Sequence, residues 1–315
     1  MRIGIIGGVG HWFYALNELP HHTLVGIAPG FEGEGMGGVI NQLKGKGIEA
    51  PLLADWRALL DEVDLAIVNT RFDLNAEITA EFLRRDVYVF AEKPLAITLE
   101  QLDMLERVQA ESHAFVSAMF GIRGEAWFVT VREAVKSLGT VRLLNGQKSY
   151  RMGNRPDYYR RMETFGGIIP WVAIHAIDWV HELAGGVDFK TVRGLSNADH
   201  NNGHGEMDVT SLCQFEMAGG ILASVSADFM RPMTSPTHDD DRVRVVCTEG
   251  VVEYMKGKVV IIDKDGEREL PMLSAEDVFE QMLRRIDGEE VGVSPEQSFY
   301  VTRVALMARD DALAR

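Results

Sequence analysis

Three short stretches of this 315-residue chain hold residue types that can do chemistry at a useful spacing. Residues 87–94 read VYVFAEKP, a β-branched and aromatic run that ends in Glu92, Lys93 and Pro94. A lysine ending a buried strand makes sense where that end opens on a cleft that needs an ammonium. The carboxyl edge of a parallel sheet is where such clefts lie. Near the N-terminus, Gly7-Gly8-Val9-Gly10-His11-Trp12-Phe13 follows an apolar run, as a turn that lets backbone approach a phosphate would. Far downstream, Gly166-Gly167 leads through Pro170 and Trp171 to His175 and Asp178. His175 and Asp178 stand at i and i+3, on one helix face. A carboxylate there orients an imidazole and tunes it for proton transfer near neutral pH.

Each stretch also has a plainer reading. Started at Gly8, the G-x-G-x-x-G pattern finds its first two glycines and then Phe13; started at Gly7, Val9 stands where the second glycine belongs. A simple tight turn is the alternative. The acid expected at the end of the second strand is replaced by Pro29, with Glu32 or Glu34 as loop substitutes. No arginine follows to meet a 2′-phosphate, which leans toward NAD over NADP. On spacing alone the His175/Asp178 pair is more often structural than catalytic. His200 and His204 lie in a glycine- and asparagine-rich loop and offer too few ligands for a metal, so none is expected.

Regular elements must position these groups. Residues 2–6, 24–28, 64–69, 87–91 and 113–119 read as buried strands, and residues 12–19, 39–43, 56–63, 75–85 and 98–108 as helices between them. Thr98 and Gln101 form a capping box. This alternation implies βαβ units and a parallel sheet. After residue 124 the rhythm changes. A helix over 126–138 and a long strand over 140–151 precede a hairpin, 209–217 with 221–229, and a meander over 242–248, 251–255 and 259–263. Helices are expected over 274–286 and from Ser294-Pro295 onward. The fold class is α/β: an N-terminal Rossmann doubly wound parallel sheet over 1–120, then a C-terminal α+β domain with an open, mostly antiparallel sheet over 121–315. The last helix, 295–313, is expected to return to the first domain.

Bulk composition narrows the partners. With 47 acidic and 32 basic residues the formal charge is −15, which argues against nucleic acid and anionic membrane surfaces. No segment reaches the ~20 apolar residues of a membrane span, and the first strand begins with no signal-peptide pattern, so a cytoplasmic setting is expected. Cys213 and Cys247 sit inside apolar alternation and read as buried thiols. The alternating face Val209, Ser211, Cys213, Phe215 and Met217 reads as an exposed apolar sheet face, and a homo-oligomer, dimer or tetramer, is expected through it.

In this order and at this separation, the Gly-rich turn, the stretch from Asp64 to Arg71 and on to Asn75, Glu92-Lys93-Pro94, and the Gly-Gly…His-x-x-Asp helix resemble the glucose–fructose oxidoreductase, inositol dehydrogenase and rhizopine-catabolism family over nearly the whole chain. The resemblance implies a Rossmann domain joined to an open-sheet domain, with a Lys–Pro peptide that is often cis. It implies that Lys93 holds and polarises the substrate oxygen and that His175 is the acid/base. Gly7, Gly8, Gly10, His11, Trp12, Asn69, Thr70, Arg71, Glu92 and Lys93 are the expected cofactor contacts. Trp171 stands where the family has an aspartate, so Asp178 is the expected partner of His175, while Trp171 and Tyr159 are expected to line the substrate side. Arg71 and Asn75 replace the family's proline and histidine, and Arg71 is a candidate for a phosphate or carboxylate. The expected function is an NAD- or NADP-dependent oxidoreductase acting on a secondary alcohol or ketone of a sugar, cyclitol or related small molecule. The alternatives are a catalytically degenerate dinucleotide sensor and, further off, NAD-dependent glycoside cleavage.

Overall fold

The apolar runs of the first 120 residues become five parallel strands, β1 (Arg2–Ile6), β2 (Thr23–Ala28), β3 (Leu65–Val68), β4 (Tyr88–Ala91) and β5 (Val116–Ala118), in the order β2-β1-β3-β4-β5. The central strands β1, β3 and β4 are buried over nearly all their residues, which is why they read as apolar runs rather than as alternation. The chain turns one way from β1 to β2 and the other way to β3. The crevice beyond the carboxyl ends of β1 and β3 is therefore the switch point where such sheets take ligands. Helices α1 (Gly37–Gly45), α2 (Phe72–Leu83) and α3 (Leu99–Glu111) fill the crossovers. Thr98 Oγ1 caps α3 by accepting from Gln101 N at 3.1 Å, while the Gln101 side chain accepts from Ile97 N instead of the expected Thr98 N.

Two helices expected here shorten. Residues 12–19 contract to a 3₁₀ turn, Trp12–Ala15, whose entry is fixed by the Glu92 and Asn69 side chains holding the His11 and Trp12 N–H groups, and a second short 3₁₀ turn, Leu19–His21, takes up Pro20. Residues 56–63 contract to a 3₁₀ turn, Trp56–Leu59, capped by Asp55.

The computed structural model describes residues 1–315 and divides into two compact units, Met1–Gly121 with Asp277–Thr302 and Ile122–Glu276 with Arg303–Arg315. In the second unit α4 (Ala126–Val135), β6 (Val141–Arg151), α5 (Met162–Phe165) and α6 (Ile174–Leu183) precede seven strands. These are β7 (Phe189–Asn197), β8 (Thr210–Met217), β9 (Ile221–Arg231), β10 (Asp239–Cys247), β11 (Gly250–Met255), β12 (Lys258–Asp263) and β13 (Gly266–Leu270). The sheet order is β13-β12-β11-β10-β6-β9-β8-β7, antiparallel except for the β6–β9 pair. The edge strand β13, GEREL, escapes a hydrophobicity pattern because four of its five residues are charged or Gly and all but Leu270 are exposed.

One expectation about this sheet is reversed. Val209, Ser211, Cys213, Phe215 and Met217 are buried, and the solvent face is the opposite one, with Leu195, Leu212 and Leu222 each at least 40% exposed. Alternation alone cannot say which of two apolar-bearing faces packs. Both cysteines are free and buried, as expected.

The closing helices are α7 (Val278–Ile286) and α8 (Pro295–Leu313). The first starts four residues late because Asp277 takes the cap from Phe279 N and Glu280 N, and its Phe279 packs 5.3 Å from Phe90 in the first unit. Ser294 and Gln297 form the expected reciprocal box at α8. The helix serves both units: Ser298 Oγ accepts from Ala118 N in the first, and Ala308 lies so close to Gly194 of β7 in the second that a Cβ there would stand 1.9 Å from the Ala308 carbonyl. No helix is long and apolar enough to cross a membrane.

Candidate active site

In the first unit, three loops leave the carboxyl ends of β1, β3 and β4 and are stitched by side chains. Asn69, fully buried, accepts from Trp12 N at 2.8 Å through Oδ1 and donates through Nδ2 to Ile6 O and Gly7 O at 3.3 and 3.2 Å. Glu92, also fully buried, accepts from His11 N at 2.6 Å and Lys93 N at 3.0 Å, and its Oε2 lies 2.9 Å from His11 Nδ1. Burial works against its charge, but His11, Lys93 and these hydrogen bonds outweigh that cost and hold the carboxyl below its ordinary value. Gly10 is required: at φ +84° its Cβ would stand 1.8 Å from Glu92 Oε2.

The Lys93–Pro94 peptide is cis, as the resemblance implies. Asn75 Nδ2 brackets it, donating to Glu92 O at 2.5 Å and Pro94 O at 3.1 Å. Thus Gly7, Gly8, Gly10, His11, Trp12, Asn69, Thr70, Glu92 and Lys93 lie together where the loops after β1, β3 and β4 meet. Arg71 instead makes a bidentate pair with Asp73 at 2.6 and 2.9 Å.

Glu34 is the loop acid that reaches the Gly-rich turn. Its carboxylate accepts from Gly8 N at 3.2 Å, Gly30 N at 2.6 Å and Thr70 Oγ1 at 3.1 Å, and burial raises its carboxyl above the ordinary value. An acid thus reaches the Gly-rich turn from 26 residues along the chain, near the place a ribose diol needs an acceptor. Side-chain-free backbone at Gly8 and Gly10, with an acceptor beside it that the Gly8 N–H engages, has the chemistry a dinucleotide needs. The 3₁₀ turn after it, four residues long, is too short to supply a helix dipole.

In the second unit, Gly166 and Gly167 adopt positive φ and a π-helical turn, Ile169–Ala173, leads into α6. Asp208 receives Ile168 N at 2.7 Å and Arg309 donates to Gly166 O at 3.1 Å, which pins the helix entry. Burial pushes the Asp208 carboxyl up to about 6, with the Ile168 N–H pulling the other way. His175 and Asp178 are both buried on α6. Their expected pairing is corrected: the two Asp178 oxygens are taken by Arg123, at 2.5, 2.9 and 3.1 Å, and Arg123 also holds Glu182 at 2.8 Å. Burial raises Asp178 to about 6 against the pull of Arg123, so it is ionised at neutral pH. Trp171 and Tyr159 meet edge to face, with centroids 6.5 Å apart, but both are buried, packed more than exposed to a ligand.

Sequence reasoning passed over Arg123, Asp208 and Lys148. Lys148 left a signal: it falls on the inward phase of β6 with Leu144 and Gly146, where an apolar residue belongs. Arg123 and Asp208 left none, because nothing local marks a residue whose partner lies 55 or 40 positions away.

Residues 1–120 match the model of the oxidoreductase family with an NAD-binding Rossmann fold, and residues 128–253 match the GFO/IDH/MocA C-terminal domain. A solved structure from Thermotoga maritima, assigned as an oxidoreductase, is 40% identical over 99% of this chain and 98% of its own, with a TM-score of 0.96. Inositol 2-dehydrogenase from Salmonella typhimurium is 26% identical over 151 residues, 46% of this chain; the match spans 43% of that relative, less than half its length. Levoglucosan dehydrogenase, solved with NADH and levoglucosan, shares the fold at 17% identity and a TM-score of 0.82, covering 100% of this chain and 97% of its own. The chain belongs to the Gfo/Idh/MocA family of NAD-binding Rossmann oxidoreductases.

Proposed function

We propose that this oxidoreductase transfers a hydride between NAD and a secondary alcohol or ketone of a sugar, cyclitol or related small molecule. The observation that carries the reading is the buried Glu92–Lys93–Pro94 corner, bracketed by Asn75 and with its carboxylate tied to the Gly-rich turn. Nicotinamide, when bound, supplies the hydride acceptor or donor. Lys93 places an ammonium against the reacting oxygen and favours its alkoxide-like form. His175 takes the alcohol proton or returns it. Asp178, held by Arg123, keeps α6 in place instead of orienting the imidazole directly. Gly8 and Gly10 admit the pyrophosphate. Glu34 accepts the ribose hydroxyls and repels a 2′-phosphate, so NAD is the cofactor.

We also infer assembly through the open sheet face bearing Leu195, Leu212 and Leu222.

A thermal melt with NAD, NADH, NADP and NADPH tests the reading first. Stabilisation by NAD or NADH is expected, followed by cofactor reduction in a screen of sugars and cyclitols. A flat response to all four nucleotides would sink the cofactor assignment.

A further inference from the structure

A phosphate-binding turn ordinarily works through unoccupied backbone N–H groups and the N-terminus of the helix behind them. The Gly-rich turn of this chain has little of either. Gly7 N donates to Ala28 O at 2.8 Å, Gly8 N to Glu34 Oε1 at 3.2 Å and Val9 N to Asn69 O at 3.0 Å. His11 N goes to Glu92 Oε2 at 2.6 Å and Trp12 N to Asn69 Oδ1 at 2.8 Å. Of residues 7 to 12 this leaves Gly10 N, and the 3₁₀ turn that follows brings no helix dipole to bear.

Charge works against an anion here as well. Glu34 stands on Gly8 N, and Glu92 lies directly under Gly10, where a Cβ would meet its Oε2 at 1.8 Å. Lys93 acts on Glu92 through its charge, and on the loop after β3 Arg71 is paired with Asp73 at 2.6 Å and adds no net charge. Two carboxylates less one ammonium leave a negative charge beside the place a pyrophosphate must lie. One side chain of the turn can reverse that balance. His11 Nδ1 lies 2.9 and 3.0 Å from the two Glu92 oxygens, and its ring is stacked on Tyr14 at 5.5 Å and 6°. The His11 side chain is 20% exposed and that of Glu92 is 0%, so the buried carboxylate meets the crevice through the imidazole. A protonated imidazole donates from both nitrogens: Nδ1 serves Glu92, and Nε2 carries the donor that a phosphate oxygen needs.

We propose that NAD binding is coupled to uptake of a proton by His11, whose imidazolium neutralises Glu92 and gives the pyrophosphate the N–H donor and positive charge that the turn lacks. Low pH favours the protonated ring, so binding is tightest there and weakens as pH rises. The charged and titratable groups around the ring are Glu92 and Lys93 after β4, Tyr14 on its own 3₁₀ turn, Glu34 after β2 and the Arg71–Asp73 pair after β3. Burial raises the Glu34 carboxyl, which makes a proton on Glu34 the rival source of the same trend. The coupling rests on NAD binding alone and holds whichever alcohol is oxidised.

The test uses the full chain and three probes: NAD, ADP-ribose, which keeps the pyrophosphate without nicotinamide, and adenosine, which has no phosphate. Calorimetry from about pH 6 to about pH 9, in two buffers of different ionisation enthalpy, reads affinity and proton uptake together. NAD and ADP-ribose are expected to weaken by at least about tenfold across that range and to take up a proton on binding, while adenosine does neither. His11→Gln keeps a side-chain donor for Glu92 without the charge. It should bind both nucleotides with a flat pH profile, about tenfold more weakly than wild type at the acid end. Glu34→Gln should keep the wild-type slope. If His11→Gln does not fold, the other arms decide: a slope shared by adenosine, or lost in Glu34→Gln, overturns the proposal. A flat wild-type profile for ADP-ribose overturns it too, as does an unchanged slope in His11→Gln. NAD binding without a slope overturns the coupling only, whereas absence of nucleotide binding at every pH overturns the cofactor assignment along with it.

Discussion

At the scale of single residues, Glu92 ties the Gly-rich turn to the lysine corner. One carboxylate closes the Gly-rich turn through His11 and the lysine corner through Lys93 N. Asn75 holds the backbone on both sides of Lys93 through Glu92 O and Pro94 O, so the corner does not rely on the lysine side chain for these backbone contacts. Lys93→Ala is therefore expected to lower kcat by about 10²–10³-fold while leaving the NAD-induced melting shift in place. Wild-type turnover in that variant would remove Lys93 from the chemistry. Glu34 is read through cofactor choice. Replacing its charge in Glu34→Gln should weaken NAD and relieve repulsion of NADP, narrowing the ratio of the two dissociation constants by about tenfold. An unchanged ratio would show that the carboxylate does not meet the ribose. Lys93 was legible because a charged residue ended an apolar run. Glu34 stayed one of two candidates, since a loop acid acquires a role only from what the loop folds against.

At the scale of elements, α6 shows what a helix costs to anchor. Its π-helical entry hangs on Asp208, whose buried carboxyl is raised to about 6. The unfolded chain releases that proton near 4, so between about 4 and about 6 the folded state holds a proton that the unfolded state has lost. Stability from this group is therefore highest below about 4 and falls as pH rises to about 6, by on the order of 3 kcal/mol. Asn at this position keeps an acceptor for Ile168 N and carries no charge. The stability of Asp208→Asn relative to wild type should thus climb across that window and level off above it, as chemical denaturation at stepped pH would show. A constant difference would mean that Asp208 does not titrate in this range. Strands and capped helices were legible here; the pins were not. A strand announces itself by local alternation, whereas Asp208–Ile168 and Arg123–Asp178 join residues distant in sequence.

At the scale of the whole molecule, the eight-stranded sheet packs one face and exposes the other. Leu195 of β7 pairs with Leu212 of β8, so their side chains share the solvent face, with Leu222 on the next strand. An exposed leucine face on a sheet this wide favours burial against another copy. Light scattering at micromolar concentration should report a mass that is a multiple of 35.1 kDa, and Leu212→Asp with Leu222→Asp should return it to one chain. A monomeric wild type overturns the assembly.

The amino-acid sequence by itself determined the α/β alternation, the carboxyl-edge position of Glu92 and Lys93, the helix bearing His175, and the hairpin-rich second half. Each of these is written in period, capping or turn chemistry within a few residues. Only the tertiary structure decided that the helix after the Gly-rich turn would be a single 3₁₀ turn, that Asp178 would go to Arg123 rather than His175, and which face of β8 would pack. Those outcomes rest on competition for one hydrogen bond or one buried surface between groups far apart in the chain, and such competition leaves no local trace. VYVFAEKP was legible as a run that ends on a lysine. The fold added why the lysine stays there: the preceding carboxylate is the tie between two loops of the crevice.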